Sequence, residues 1–232
     1  MNMRLLILTL AIFVPGVSNA ACEAIDIKNN VIVFGGNGST TAEMKDCYPN
    51  FLTYSNIDGA KHIKCLANQI ENTAIKLGEP FVIVGHSSGA VQAEQLVQAL
   101  KLPGSKHKVR LILLEGFANT VNLGVATACW YAKRGSIEGM NARYMKTLKS
   151  CSTKPQVFED SRCNTPLCLH LSLVNLKAPI DVRDGRTALA TGLKNCSGNG
   201  NTEWLKPDPR AFLTATPTLA PVPAAPVRRS AQ

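Results

Sequence analysis

Apolar positions along the chain fall into two alternating patterns. Residues 31–34, 81–84 and 109–114 are short runs of Val, Ile, Leu and Phe, broken only by Arg110. Runs this short, apolar at nearly every position and rich in β-branched residues, predict strands buried on both faces. Residues 51–55 and 156–159 are weaker strand candidates. Between them the period lengthens. Residues 62–77 place Ile63, Leu66, Ala67, Ile70, Ala74 and Leu77 at helical spacing, and Gly78 follows as a stop. Residues 89–101 put Ala93, Leu96, Val97 and Leu100 on one helical face before Leu102-Pro103-Gly104-Ser105 ends it. Residues 39–45 predict a short helix capped by Ser39 or Thr41. Residues 120–150 read as mostly helical, and residues 170–194 as a further helix with irregular chain. Strands and amphipathic helices in alternation predict an α/β domain, a mostly parallel sheet with helices on both faces.

The places where strand gives way to helix carry the candidate chemistry. The run at 81–84 leads into Gly85-His86-Ser87-Ser88-Gly89, and a helix is predicted from Gly89. A serine at such a junction sits on a sharp turn, and glycines two residues to either side remove side chains that would clash with strand and helix. Ser87 is therefore the candidate nucleophile. The run at 31–34 ends in Gly35-Gly36-Asn37-Gly38-Ser39. A hydrolytic serine needs backbone N–H groups aimed at the oxyanion it creates. The expected donors are Ser88, which follows the nucleophile, and Asn37 in the glycine-rich loop. A base is also required, and histidine is the usual one. His62 precedes the serine, His86 lies inside the elbow and points elsewhere, and His107 sits at the wrong end of its strand. His170 is left by elimination. Two carboxylates qualify as the acid that orients it: Glu115, directly after the run at 109–114, and Asp160, after the candidate strand at 156–159.

The stretch from Gly85-His86-Ser87-Ser88-Gly89 through Leu114-Glu115-Gly116-Phe117 resembles the α/β-hydrolase superfamily, and within it thioesterase- and lipase-like serine hydrolases. The resemblance spans roughly residues 30–175. It implies an α/β-hydrolase fold and a serine–acid–histidine chain order. Glu115 stands where the family's catalytic acid usually is an aspartate. His170-Leu171-Ser172-Leu173-Val174 is similar to the family's closing histidine segment, with Leu171 in place of an aromatic residue. In this superfamily a lid is often inserted where residues 120–150 lie here. Trp130, Tyr131, Met140, Tyr144 and Met145 would then line an acyl pocket or simply pack in the core. The chemistry implied is hydrolysis of a small-molecule acyl ester through an acyl-enzyme. Thioesterase, peptidase and non-catalytic binding proteins of the same fold are the alternatives, and no cofactor or metal is called for.

The ends of the chain and its cysteines bear on where it works. Residues 1–20 carry Arg4, an apolar stretch and Ser18-Asn19-Ala20. This is the pattern of a cleaved signal peptide, and its apolar stretch is shorter than the roughly 20 residues that span a bilayer. The expectation is a secreted or periplasmic protein with no integral membrane span. Cys22 as a lipid-bearing residue is the minority alternative, because Asn19 stands where a lipobox has an aliphatic residue. Eight cysteines in an exported chain predict disulfides. Their pairing does not follow from sequence, and neighbour pairs such as Cys47–Cys65 and Cys129–Cys151 are guesses. No two cysteines have zinc-knuckle spacing. The formal net charge of +9 suits anionic surfaces. No Lys/Arg run interleaves with aromatics, so nucleic acid is not expected as a partner. Residues 21–213 form the predicted domain, and the Pro/Ala-rich residues 214–232 a disordered tail.

Overall fold

A computed structural model of the chain describes residues 27–72, 80–101, 105–116, 123–132, 151–152, 155–163, 165–175 and 196–206. The predicted signal segment, the C-terminal tail and most of the expected lid, including Met140, Tyr144 and Met145, lie outside these residues. Among these residues six strands make one sheet: β1 (Val31–Phe34), β2 (Leu52–Tyr54), β3 (Phe81–His86), β4 (Val109–Leu114), β5 (Ala126–Ala132) and β6 (Gln156–Phe158). Their order is β2-β1-β3-β4-β5-β6, and every pairing is parallel. The α-helices among the described residues are α1 (Thr41–Cys47), α2 (Asn56–Asn72), α3 (Gly89–Ala99) and α4 (Pro166–Ser172). Among the described residues no helix is long and apolar enough to cross a membrane.

Side chains alternate across the sheet and feed two cores. Ile32, Phe34, Ile83, Leu111 and Leu113 pack with Leu66 and Ile70 of α2 and with Ala93, Leu96 and Val97 of α3. Val31, Val33, Val82, Val84, Ile112 and Leu114 pack with Met44 and Cys47 of α1, and with Val174, Cys196 and Trp204. Each such fully buried aliphatic or aromatic side chain contributes about 1.5–3 kcal/mol of transfer free energy. Chain connectivity then locates a crevice. From β1 the chain passes to β2 on one side, while β3 pairs on the other. The carboxyl ends of β1 and β3 therefore flank a topological switch point, where parallel sheets bind ligands.

The structure departs from the sequence expectations at four places. Residues 126–132, expected to be helical, are strand β5. Its Ala-Thr-Ala-Cys-Trp-Tyr-Ala pattern has no clean period, and pairing with β4 and β6 decides its conformation. The cap of α1 is Thr40, not Ser39 or Thr41. Its side chain accepts from the Glu43 N–H, and the Glu43 carboxylate accepts from the Thr40 N–H. Residues 170–172, expected to open a further helix, instead end one that starts at Pro166 with Thr165 as its cap, and residues 176–194 of that expectation lie outside the described residues. Finally, Cys47 pairs with Cys196, not with Cys65. The reason is the two-sided sheet: Cys47 ends a helix on one face, while Cys65 lies in α2 on the other. Cys129–Cys151 and Cys163–Cys168 are the other described bridges, and Cys65 is also disulfide-bonded.

Candidate active site

At the end of β3 the backbone turns abruptly. Ser87 has φ 53°, in the left-handed region that a residue with a side chain occupies only when its surroundings hold it there. Two bonds hold it: the Ser87 N–H donates to the Leu114 carbonyl at 3.0 Å, and the Ser87 carbonyl accepts from the Ala90 N–H at 3.2 Å. Missing side chains make the turn possible. A Cβ on Gly85 would lie 2.5 Å from the Ala90 Cα, and one on Gly89 would meet the Phe34 and Gly35 carbonyls. On the facing loop, a Cβ on Gly36 would lie 2.7 Å from the Ser87 Cβ. The glycine-rich loop thus passes directly beside the serine.

That loop is tied down on both sides. The Gly35 N–H donates to the Tyr54 carbonyl at 2.8 Å, and the Ser39 hydroxyl donates to the Gly36 carbonyl at 2.6 Å. The Asn37 Oδ1 accepts from the Ser88 hydroxyl at 2.9 Å and from the Asn56 Nδ2 at 2.6 Å. The Asn56 amide also reaches the Ser88 Oγ at 3.3 Å. Asn37 and Ser88, both expected as oxyanion donors, are therefore linked through their side chains. Their backbone N–H groups make no hydrogen bond among the described residues. Asn56 was not singled out in the sequence. Its one signal was its place directly after the second strand candidate, at the same sheet edge as Ser87.

The third part of the site comes from β4 and α4. Glu115 directly follows β4, is 1 % exposed and has φ 42°. Its Oε1 accepts from the Ala132 N–H at 2.9 Å, and its Oε2 accepts from the His170 Nδ1 at 2.7 Å. His170 is equally buried. Donation from Nδ1 to the carboxylate leaves Nε2 of a neutral imidazole as the proton acceptor. The Ser87 hydroxyl makes no hydrogen bond among the described residues. Contacts of this kind often tighten only when substrate binds.

Asp160, the other carboxylate weighed for the acid, is engaged differently. Its oxygens accept from the Arg162 Nη2 at 2.5 Å and Nε at 2.9 Å. The Arg162 hydrogen bonds hold the Asp160 carboxyl below its usual range. Of the two carboxylates, only Glu115 bonds His170.

Comparison of the sequence with protein-family models and with curated proteins finds no match. The functional reading therefore rests on residues and geometry.

His86 joins the elbow to the histidine-bearing helix. Its ring centroid lies 4.4 Å from that of His170, and its Nε2 lies 3.0 Å from the His170 carbonyl. Burial above all, and then the closeness of the His170 ring, pulls the His86 imidazole well below the ordinary histidine range. The side chain expected to point elsewhere thus lies against the site's histidine.

Proposed function

We propose that this chain is a secreted or periplasmic serine hydrolase of the α/β-hydrolase type that cleaves carboxylic esters through an acyl-enzyme. One observation carries the reading: a serine in a left-handed strand-to-helix turn stands beside a strand end whose buried glutamate bonds a buried histidine. In the proposed cycle His170 Nε2 takes the Ser87 proton as the hydroxyl attacks the ester carbonyl. Glu115 keeps the imidazole in the required tautomer and stabilises its cation. The Asn37 and Ser88 N–H groups hold the oxyanion. His170 then protonates the leaving alcohol, and water releases the acyl group by the same steps in reverse. The disulfides support an oxidising compartment. An exported enzyme meets esters more readily than the coenzyme A and carrier-protein thioesters of the cell interior.

The test is labelling by a fluorophosphonate probe, followed by hydrolysis of p-nitrophenyl esters of increasing acyl length. Wild type should be labelled and turn over esters. Ser87→Ala should lose both while keeping its circular dichroism spectrum and melting temperature. A variant labelled like wild type would remove Ser87 from the mechanism.

A further inference from the structure

We propose that His86 is a positioning residue for His170, fixing the helix turn that carries the base through its main-chain carbonyl. The inference rests on the hydrolase reading above. Helix α4 leaves one carbonyl over at its end. In a regular α-helix the N–H of residue 174 would bond the His170 carbonyl. Here the helix tightens at its end, and the Val174 N–H goes instead to the Leu171 carbonyl at 3.1 Å, as does the Asn175 N–H at 2.9 Å. The His170 carbonyl is one of the orphan acceptors at a helix C-terminus. It is met by the His86 Nε2 at 3.0 Å.

A carbonyl can only accept, so the His86 Nε2 must carry the hydrogen. Its Nδ1 is then a bare acceptor if the ring is neutral, and burial disfavours the charged ring. That Nδ1 is buried and has no hydrogen-bond partner among the described residues. An unpaired buried acceptor is unfavourable, so solvation does not account for a histidine at this position. Packing alone would be met by an apolar ring. What histidine adds is the one Nε2–H that reaches the His170 carbonyl, together with a ring that lies against the His170 ring. His86 is also the residue directly before Ser87. Any displacement of α4 relative to the elbow must break this bond. The nucleophile's own neighbour thereby sets where the base sits, and Glu115 sets how it is rotated.

The test separates ring from donor. Gln keeps a terminal N–H donor but loses the ring, whereas Phe keeps the ring but loses the donor. His86→Phe should lower kcat and the fluorophosphonate labelling rate by about 100-fold, the cost of a small misplacement of reacting groups, with KM nearly unchanged. His86→Gln should recover most of that loss. The far-downfield proton resonance of the Glu115–His170 bond should weaken in His86→Phe and return in His86→Gln. A second measurement uses wild type and stands even if His86→Phe does not fold: nitrogen-15 shifts should show His86 as a single tautomer protonated at Nε2. A wild type that is labelled while His86→Phe matches it overturns the role of His86 alone. So does His86→Gln falling as far as His86→Phe, or a His86 tautomer protonated at Nδ1. A wild type that the probe does not label removes the hydrolase reading, and the positioning role with it.

Discussion

On the β1–β3 side of the crevice, position comes from the backbone. Ser87 is aimed by a left-handed turn, by glycines that let chain segments touch, and by main-chain bonds to neighbouring strands. On the β4–β6 side, position comes from side chains and cross-links. Glu115 meets His170 across 55 residues of sequence, and α4 is secured by the Cys163–Cys168 bridge and the Thr165 cap. A site built from backbone changes little with most single substitutions, because the sheet carries it. A site built from side-chain contacts fails one group at a time. Apart from Ser87 itself and the glycines packed against it, the serine half should therefore tolerate what the histidine half does not, and the sharpest tests lie in the latter.

The largest effect is expected at the carboxylates. Glu115→Gln should reduce turnover by about 10⁴-fold, because the imidazole loses the partner that sets its tautomer. Asp160→Asn weakens the contacts of Asp160 with Arg162 and Ser172 but leaves the Glu115–His170 bond in place, and should leave turnover within a few-fold of wild type. The reverse ranking in parallel ester assays would move the acid to Asp160. Next come the bridges. A cross-link that closes a longer loop restricts the unfolded chain more. Replacing Cys47 and Cys196 by serine, 149 residues apart, should cost about 5 kcal/mol, against about 2 kcal/mol for Cys163 and Cys168. Urea titration compares the two. Turnover measured well below the unfolding transition should fall further in the Cys163/Cys168 variant, whose bridge holds α4.

Acid should act through His86. Its folded pKa lies below the ordinary value of about 6.5. As pH falls below about 6.5 the unfolded chain takes up this proton and the folded chain does not. Stability is therefore intact above about 6.5 and lost as pH falls toward the folded pKa, by up to about 1.4 kcal/mol per pH unit. Chemical denaturation across that range should show a shallower acid slope in His86→Gln than in wild type. An unchanged slope would mean that another group carries it. The smallest effect belongs to the serine half. Asn56→Ala removes one amide from the Asn37–Ser88 cluster and should cost about 1 kcal/mol of transition-state stabilisation, roughly fivefold in kcat. A loss as large as that of Glu115→Gln would erase the contrast between the two sides.

The same contrast decides what the sequence could disclose. The β1–β3 side was legible because its causes are local. Val31–Phe34 and Phe81–Val84 announce buried strands, and the glycines around Ser87 mark the turn within five residues. Val109–Leu114 also placed Glu115 at the correct edge. What stayed hidden depends on contacts made far along the chain. Strand β5 has no period of its own and owes its conformation to β4 and β6. Cys47 finds Cys196 because both belong to one face of the sheet, a fact that spacing does not encode. Nothing near residue 86 signals that its ring lies against residue 170. Asn56 was overlooked for the same reason: its partners, Asn37 and Ser88, stand on two other loops.

The Cys47–Cys196 bridge also determines how the molecule would carry mechanical load. With the two Cα atoms held 4.8 Å apart, residues 47–196 form a covalent ring that cannot be drawn out into a single thread while the sulfur–sulfur bond lasts. Ser87, Glu115 and His170 all belong to that ring. Passage through a narrow pore would have to admit two lengths of chain side by side, and reduction of this one bond would open the longest of the described rings.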